Sequence, residues 1–246
     1  VIVNLRYWTF GDQMNFGDAL SPYIVGRLLG KGHKLLHNSD QGDATLFAVG
    51  SWLHHATEGA HIWGTGLRTD PPNEEDATHC YNTLRVHAVR GPITRSFLRS
   101  RGIKCPDVYG DPALLLPRLY TPRLKPELAC KVGFIPHCSD VKRGPQHCGF
   151  HFISPLRPVE EIIDELVSCS AIVSQSLHGL IVADAYGVPN AWLYRPLAEG
   201  TLKFMDYFAS QNRAPFIMSS LSDAPRFHGA GNRVDLSALS GAFPFY

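Results

Sequence analysis

The chain has 246 residues, 44% of them hydrophobic and 18% charged, with a formal net charge of +1. This composition supports one large core or two smaller ones and excludes a disordered chain, and the near-neutral balance excludes the dense basic face of a nucleic-acid binder while leaving room for a local anion pocket. No apolar run approaches the roughly 18 residues that span a bilayer, the opening Val1-Ile2-Val3-Asn4 runs into Arg6 and polar residues rather than a secretory leader, and six scattered cysteines (Cys80, Cys105, Cys130, Cys138, Cys148, Cys169) read as the reduced thiols of a cytoplasmic protein.

In chain order, Asn15 to Leu29 predicts a loop and then a helix. Asp18 is suited to cap it, Leu20, Ile24 and Leu28 line one side, and Gly30 stops it. Ala44 to Gly50 is a short apolar run ending in glycine, as a buried strand should be, and His61 to Gly66 predicts another with a glycine turn. Leu84 to Val89 alternates apolar and polar residues. After Arg90-Gly91, Pro92 suits a first helical turn, Ile93, Phe97 and Leu98 share a face, and Gly102 ends the helix. Tyr120 to Lys131, with Pro122 and Pro126, predicts a linker. Beyond it come a strand at Lys131 to Ile135, an amphipathic helix at Pro158 to Ser168 and a strand at Ala171 to Val173. A helix at Leu177 to Tyr186, closed by Gly187 and Pro189, and a strand at Ala191 to Leu193 follow. Such alternation predicts an α/β fold of parallel sheets with helices on both faces. The boundary falls between residues 1–121 and 122–246. Leu236 to Tyr246 is apolar for a tail, and is expected to dock on the protein.

Ligands of open α/β sheets bind beyond the carboxyl ends of the strands, so the strand-end loops carry the candidate chemistry. In Ser174-Gln175-Ser176-Leu177-His178-Gly179, Ser176 can cap a helix whose first N–H groups face outward as an anion site, with His178 in the first turn aimed at the same anion. The plainer reading is a capping serine and a packed histidine. Arg90 stands at a strand end, where its planar fork matches carboxylate or phosphate, although the commoner fate of an arginine is the surface. In Asn15-Phe16-Gly17-Asp18, glycine permits close approach to a ligand, and Asp18 is either a helix cap or an acceptor for a sugar hydroxyl.

These segments, with Gly110-Asp111-Pro112-Ala113 and Ile135-Pro136-His137, stand in the order seen in the polysaccharide pyruvyl transferase family, which the chain resembles from about Asn15 to about Phe208. The resemblance implies a GT-B-like fold of two Rossmann-like domains facing a cleft, the first on the acceptor side with Arg90 and the second on the donor side with His178. It implies phosphoenolpyruvate as co-substrate with no further cofactor, and as acceptor a sugar of an exopolysaccharide or its lipid-linked precursor. Peripheral contact with the inner face of the cytoplasmic membrane would follow from a lipid-linked acceptor. The expected catalytic residues are His178 as general acid, Asp18 as acceptor of the hydroxyl proton and Arg90 as anion holder. Asn15, Gly17, Ser176, Gly179, His137 and Lys203 are the expected substrate-binding residues. Lys203 could equally be a solvated helix charge.

Three other readings compete. His137-Cys138, His147-Cys148 and His151 suggest zinc, but their spacing fits no zinc framework and no proposed step needs a metal. A GT-B glycosyltransferase using a nucleotide sugar would share the fold. A non-catalytic carbohydrate-binding protein could stack sugars on Trp8, Trp52, Trp63 or Trp192, although tryptophans are more often core.

Overall fold

The computed structural model describes residues 1–9, 14–69, 83–143, 149–196, 200–223, 227 and 231–246. Two five-stranded sheets form, every strand pair in them parallel. The first contains β1 (Ile2–Arg6), β2 (Lys34–His37), β3 (Ala44–Phe47), β4 (His61–Trp63) and β5 (Arg85–Ala88), in the order β2-β1-β3-β4-β5. The second contains β6 (Val132–Ile135), β7 (Phe150–Phe152), β8 (Ala171–Ser174), β9 (Asn190–Leu193) and β10 (Ile217–Met218), in the order β10-β9-β8-β6-β7. Numbered within its own half, the second order is that of the first read from the other edge. Each half therefore has its topological switch point between its first and third strands, β1/β3 and β6/β8. Central strands are buried on both faces, so β8 and β9 carry the apolar stretches Ala171-Ile172-Val173 and Ala191-Trp192-Leu193.

Among the described residues the α-helices are α1 (Phe16–Leu28), α2 (Pro92–Ser100), α3 (Val159–Ser168), α4 (Leu177–Ala185), α5 (Leu202–Ser210) and α6 (Leu236–Gly241). The α1 cap differs from expectation. Asn15, not Asp18, is the N-cap: its Oδ1 accepts the Asp18 backbone N–H at 3.2 Å, and its side-chain amide donates back to the Asp18 carboxylate. Asp18 is thus the third helical residue and the reciprocal member of a capping pair. Pro92 opens α2 as expected, with Gly91 as N-cap. In α3, Ile162, Ile163 and Leu166 form the buried face.

The linker is tied to α3. Tyr120 O–H and the Arg123 N–H both donate to Asp164 Oδ1 at 2.8 Å, and the Lys125 N–H donates to Ser168 Oγ at 2.7 Å. Glu165, on the next position of the same helix, gathers Lys125 (2.8 Å), His151 (3.0 Å) and Arg157 (2.7 Å). Burial alone would raise the Glu165 pKa, but these three donors outweigh it and hold the carboxyl at about 2.

The tail docks as expected, and it docks on the first half. Leu239, Phe243 and Phe245 are buried, the Trp63 indole N–H donates to the Leu239 carbonyl at 2.9 Å, and the Gly30 N–H to that of Phe245 at 3.0 Å. Phe245 also covers His61, whose Nδ1 lies 2.9 Å from His87 Nε2. Burial, then His87 and Arg85, push the His61 pKa from 6.5 down to about 4, and burial and Arg85 lower that of His87 as well.

These shifts set two pH windows. The folded protein favours neutral His61, so that contribution is intact above pH 6.5 and disappears as pH falls from 6.5 towards 4. The Glu165 contribution is intact above pH 4.5 and disappears towards pH 2. Urea denaturation at stepped pH should show a loss on the order of 2–3 kcal/mol across the histidine window. His61→Gln should flatten the upper window and leave the lower one; an unchanged profile in that variant would exclude His61 as the source.

Candidate functional site

A cavity of about 290 Å³ opens where the two switch points face one another, at the lower end of the roughly 300–1,000 Å³ usual for ligand sites. Loops after strand ends line it: Trp8 follows β1, Gly50-Ser51-Trp52 follow β3, His137-Cys138 follow β6 and Gln175-Ser176 follow β8. Asn15 and Asp18 enter from the start of α1, Leu177 and His178 from the start of α4, Lys203 from α5, and Arg68 from the loop after β4. Of the residues expected from sequence, Asn15, Asp18, His137, Ser176, His178 and Lys203 all reach this wall.

His178 lies between Gly17 and Asp111. Its Nδ1 edge rests on Gly17, where any Cβ would coincide with the ring. That is why this loop needs glycine: Gly17 makes room for the imidazole and does not itself line the cavity. The Nε2 atom lies 3.5 Å from Asp111 Oδ2, and the Asp111 side chain is fully buried. This is ion-pair distance, longer than a good hydrogen bond. The other Asp111 oxygen accepts the Ala113 N–H at 2.9 Å and caps the 3-10 turn Pro112–Arg118, which fixes the carboxylate. Among the described residues, neither His178 Nε2 nor Asp111 Oδ2 has a hydrogen-bond partner.

Ser176 is the N-cap residue of α4, as expected, but its side chain makes no capping bond. The buried Ser174 hydroxyl does the local work instead, accepting the Ser176 N–H at 2.9 Å and donating to the Ser176 carbonyl at 2.8 Å. Gly179 gives space to Ser174, since a Cβ there would strike Oγ. Gly179 is therefore a packing residue behind the site and not a wall of it.

Arg90 is not on the cavity wall. Its side chain is 0% exposed. Nε donates to Asp206 Oδ2 at 3.1 Å, one terminal nitrogen to Ser51 Oγ at 2.6 Å and the other to the Leu67 carbonyl at 2.6 Å. Asp206 also accepts the Ile93 and Thr94 N–H groups on Oδ1 and the Thr94 hydroxyl on Oδ2. The first turn of α2, a ready anion site, is thus occupied by a carboxylate of the chain itself. Gly91 is required there because a Cβ would collide with the Asp206 main chain. Arg90 reaches the site at second hand, through Ser51 and the loop that presents Arg68.

Arg68 is the arginine that the sequence reading missed. It follows Gly64-Thr65-Gly66-Leu67 at the end of β4, the same strand-end signal that drew attention to Arg90. His137 is braced from below: its backbone N–H donates to Gln175 Oε1 at 3.0 Å, and its Nδ1 lies 2.9 Å from Ser139 Oγ. Lys203 Nζ sits 5.7 Å over the Phe204 ring. Of the zinc-like residues, His147 and Cys148 lie outside the described residues, and His151 is bonded to Glu165. Cys105, Cys130, Cys138 and Cys169 are free thiols. No described helix is long and apolar enough to cross a membrane.

The geometry defines an α/β protein of two parallel sheets whose paired switch points meet at one cation- and imidazole-lined cavity. Residues 15–195 match the family described as polysaccharide pyruvyl transferase, and the chain belongs to that family. It is 30% identical over 203 residues to the succinoglycan biosynthesis protein ExoV of Rhizobium meliloti (strain 1021), covering 74% of this chain and 57% of that one. It is 28% identical over 172 residues to the uncharacterized protein L143 of Acanthamoeba polyphaga mimivirus, covering 65% and 58%. The chain thus spans a little over half the length of these relatives. No solved structure matches it at a significant level.

Two substitutions separate site from scaffold. Gly17→Ala should displace the His178 ring, seen as a shifted His178 imidazole resonance, and cost on the order of 1–3 kcal/mol in urea denaturation, less than Arg90→Met. Arg90→Met should leave the Asp206 carboxylate buried without its counter-ion, at a cost of roughly 3–5 kcal/mol in stability. A stable Arg90→Met protein would show that Asp206 has found another partner.

Proposed function

We propose that the protein transfers the pyruvyl group of phosphoenolpyruvate to a sugar of an exopolysaccharide or its lipid-linked precursor, between two Rossmann-like halves in a GT-B-like arrangement. Family membership supports the reaction class. The observation that carries the donor is the start of α4: Ser176, Leu177 and His178 open on a cavity that also receives Arg68 and Lys203. A carboxylate and a phosphate on one small molecule need that number of positive partners.

The chemistry assigns roles. The methylene carbon of phosphoenolpyruvate takes a proton, which leaves C2 electrophilic. His178, when it carries a proton, is the group in the cavity suited to supply it. A sugar hydroxyl then adds to C2, and Asp18, held by Asn15, accepts the hydroxyl proton. A second hydroxyl of the same sugar displaces phosphate and closes the ketal, so one sugar diol and one phosphoenolpyruvate give one ketal and one phosphate. Arg68, Lys203 and the α4 amides hold the phosphate as charge shifts onto it. Arg90 takes a positioning role, keeping Ser51 and the Arg68 loop in place. Asp111 positions the imidazole. The donor and the acceptor side face one cavity, and no bound metal enters any step.

Thermal unfolding with millimolar phosphoenolpyruvate tests the donor without knowledge of the acceptor. At 100 times Kd the ligand adds about 2.7 kcal/mol, a visible rise in Tm. Arg68→Ala and His178→Gln should each lose most of that rise. A rise with nucleotide sugars and none with phosphoenolpyruvate would replace the proposal with glycosyl transfer.

A further inference from the structure

The four tryptophans divide sharply. Trp63 and Trp192 are core residues, and Trp192 stacks on Phe204 with ring centroids 4.2 Å apart. Trp8 is 44% exposed and Trp52 is half-buried, and both line the cavity. They touch each other with ring centroids 5.7 Å apart, and Trp52 continues onto the exposed His55 ring at 4.4 Å. Burying a tryptophan is strongly favourable, so an indole left open on a cavity wall forgoes that gain. All three rings come from the first half, while His137, Ser176, His178 and Lys203 come from the second.

We infer that Trp8, Trp52 and His55 form the acceptor subsite, a platform on which one face of a hexopyranoside ring stacks beside Asp18. The inference rests on the proposed pyruvyl transfer only for the word acceptor; the platform itself predicts pyranoside binding. A pyranose presents ring C–H groups on its flat face and hydroxyls at its edge. The C–H groups carry slight positive charge and pair with the negative face of an indole, and the edge hydroxyls need polar acceptors. The cavity supplies both, since Asn15 and Asp18 share its wall with the rings. The main chain at Trp52 is fixed in advance. The Trp52 backbone N–H donates to Thr65 Oγ1 at 3.1 Å, and that hydroxyl donates to the Gly50 carbonyl at 2.9 Å. Ser51, between Gly50 and Trp52, is pinned by the buried Arg90. Little ordering is then left for the Trp52 main chain on binding, which favours affinity.

The test uses the full chain and saturation-transfer NMR with the methyl glycosides of glucose, galactose and mannose, in parallel with the phosphoenolpyruvate thermal shift. Wild type should bind at least one glycoside, with transfer strongest to the ring C–H protons. Trp8→Ala, a change at an exposed position, should weaken that binding at least fivefold and keep the phosphoenolpyruvate shift; Trp8→Phe should restore part of it. Unchanged glycoside binding in Trp8→Ala, or none in wild type, overturns the platform. Trp8-dependent binding to anionic phospholipid vesicles without glycoside binding also overturns it, in favour of a membrane contact. A wild type that binds glycosides through Trp8 yet shows no phosphoenolpyruvate shift keeps the platform and removes the pyruvyl-transfer reading.

Discussion

The buried ion pair between Arg90 and Asp206 is the constraint on which the site depends. Both side chains are fully buried. Two charges taken out of water are costly unless their remaining valences are met, and here they are. The carboxylate accepts four hydrogen bonds, from Arg90, from Thr94 through its hydroxyl, and from the Ile93 and Thr94 amides. The guanidinium also donates to the Ser51 hydroxyl and the Leu67 carbonyl. One pair therefore joins α5 of the second half to α2 and to two cavity loops of the first. The pair specifies an arrangement more than it supplies net stability, because an apolar replacement of matched shape could be equally stable and would not orient Ser51 or the Arg68 loop.

The same pair decides which helix start is open to a ligand. α2 and α4 both begin just after strand ends, and both offer unpaired N–H groups. Asp206 neutralises the first. At α4 the Ser176 side chain makes no capping bond, and the neighbouring Ser174 satisfies the local backbone from behind. The sequence shows two similar anion sites, at Arg90-Gly91-Pro92 and at Ser176-Leu177-His178. The fold fills one internally and leaves the other facing the cavity, with Arg68 brought round to serve it.

What could be read in advance followed burial. Central strands such as β3, β6, β8 and β9 are mostly apolar, and α3 shows its buried face as a 3.6-residue period, so both were legible. The missed strands include the central β1, whose apolar pattern is interrupted by the buried Asn4, and the edges. β2 is Lys34-Leu35-Leu36-His37 with exposed ends, β7 is Phe150-His151-Phe152 and only partly buried, and β10 has two residues. Each takes its structure from a neighbour's hydrogen bonds rather than from its own pattern. The site residues were legible where local chemistry marked them, as at Asn15, Asp18, Ser176 and His178. Arg90 was misplaced because its partner, Asp206, lies 116 positions away. No local signal announces that a carboxylate will arrive at the start of α2. Gly17 was read as a place of close approach to a ligand and Gly179 as a substrate-binding residue, but the groups that approach them are His178 and Ser174.

The two halves repeat one strand order, yet neither is closed without the other. α1, which carries Asn15, Gly17 and Asp18, belongs to the first half by sequence. Its first N–H donates to the Pro155 carbonyl at 2.7 Å, and Tyr23 and Arg27 reach Glu160 of α3 at 2.9 and 3.1 Å. α5, which carries Lys203 and Asp206, belongs to the second half and is bound to the first through Arg90 and α2. The tail then returns from the second half to cover Trp63 and His61. Each half thus lends the other a helix that bears cavity residues. A relative displacement of the sheets would pull Asp18 away from Trp8 and Trp52, or Lys203 away from Arg68, and would break buried polar bonds in either case. The cross-clamping holds the aromatic wall of one half and the imidazole and ammonium of the other together at one cavity.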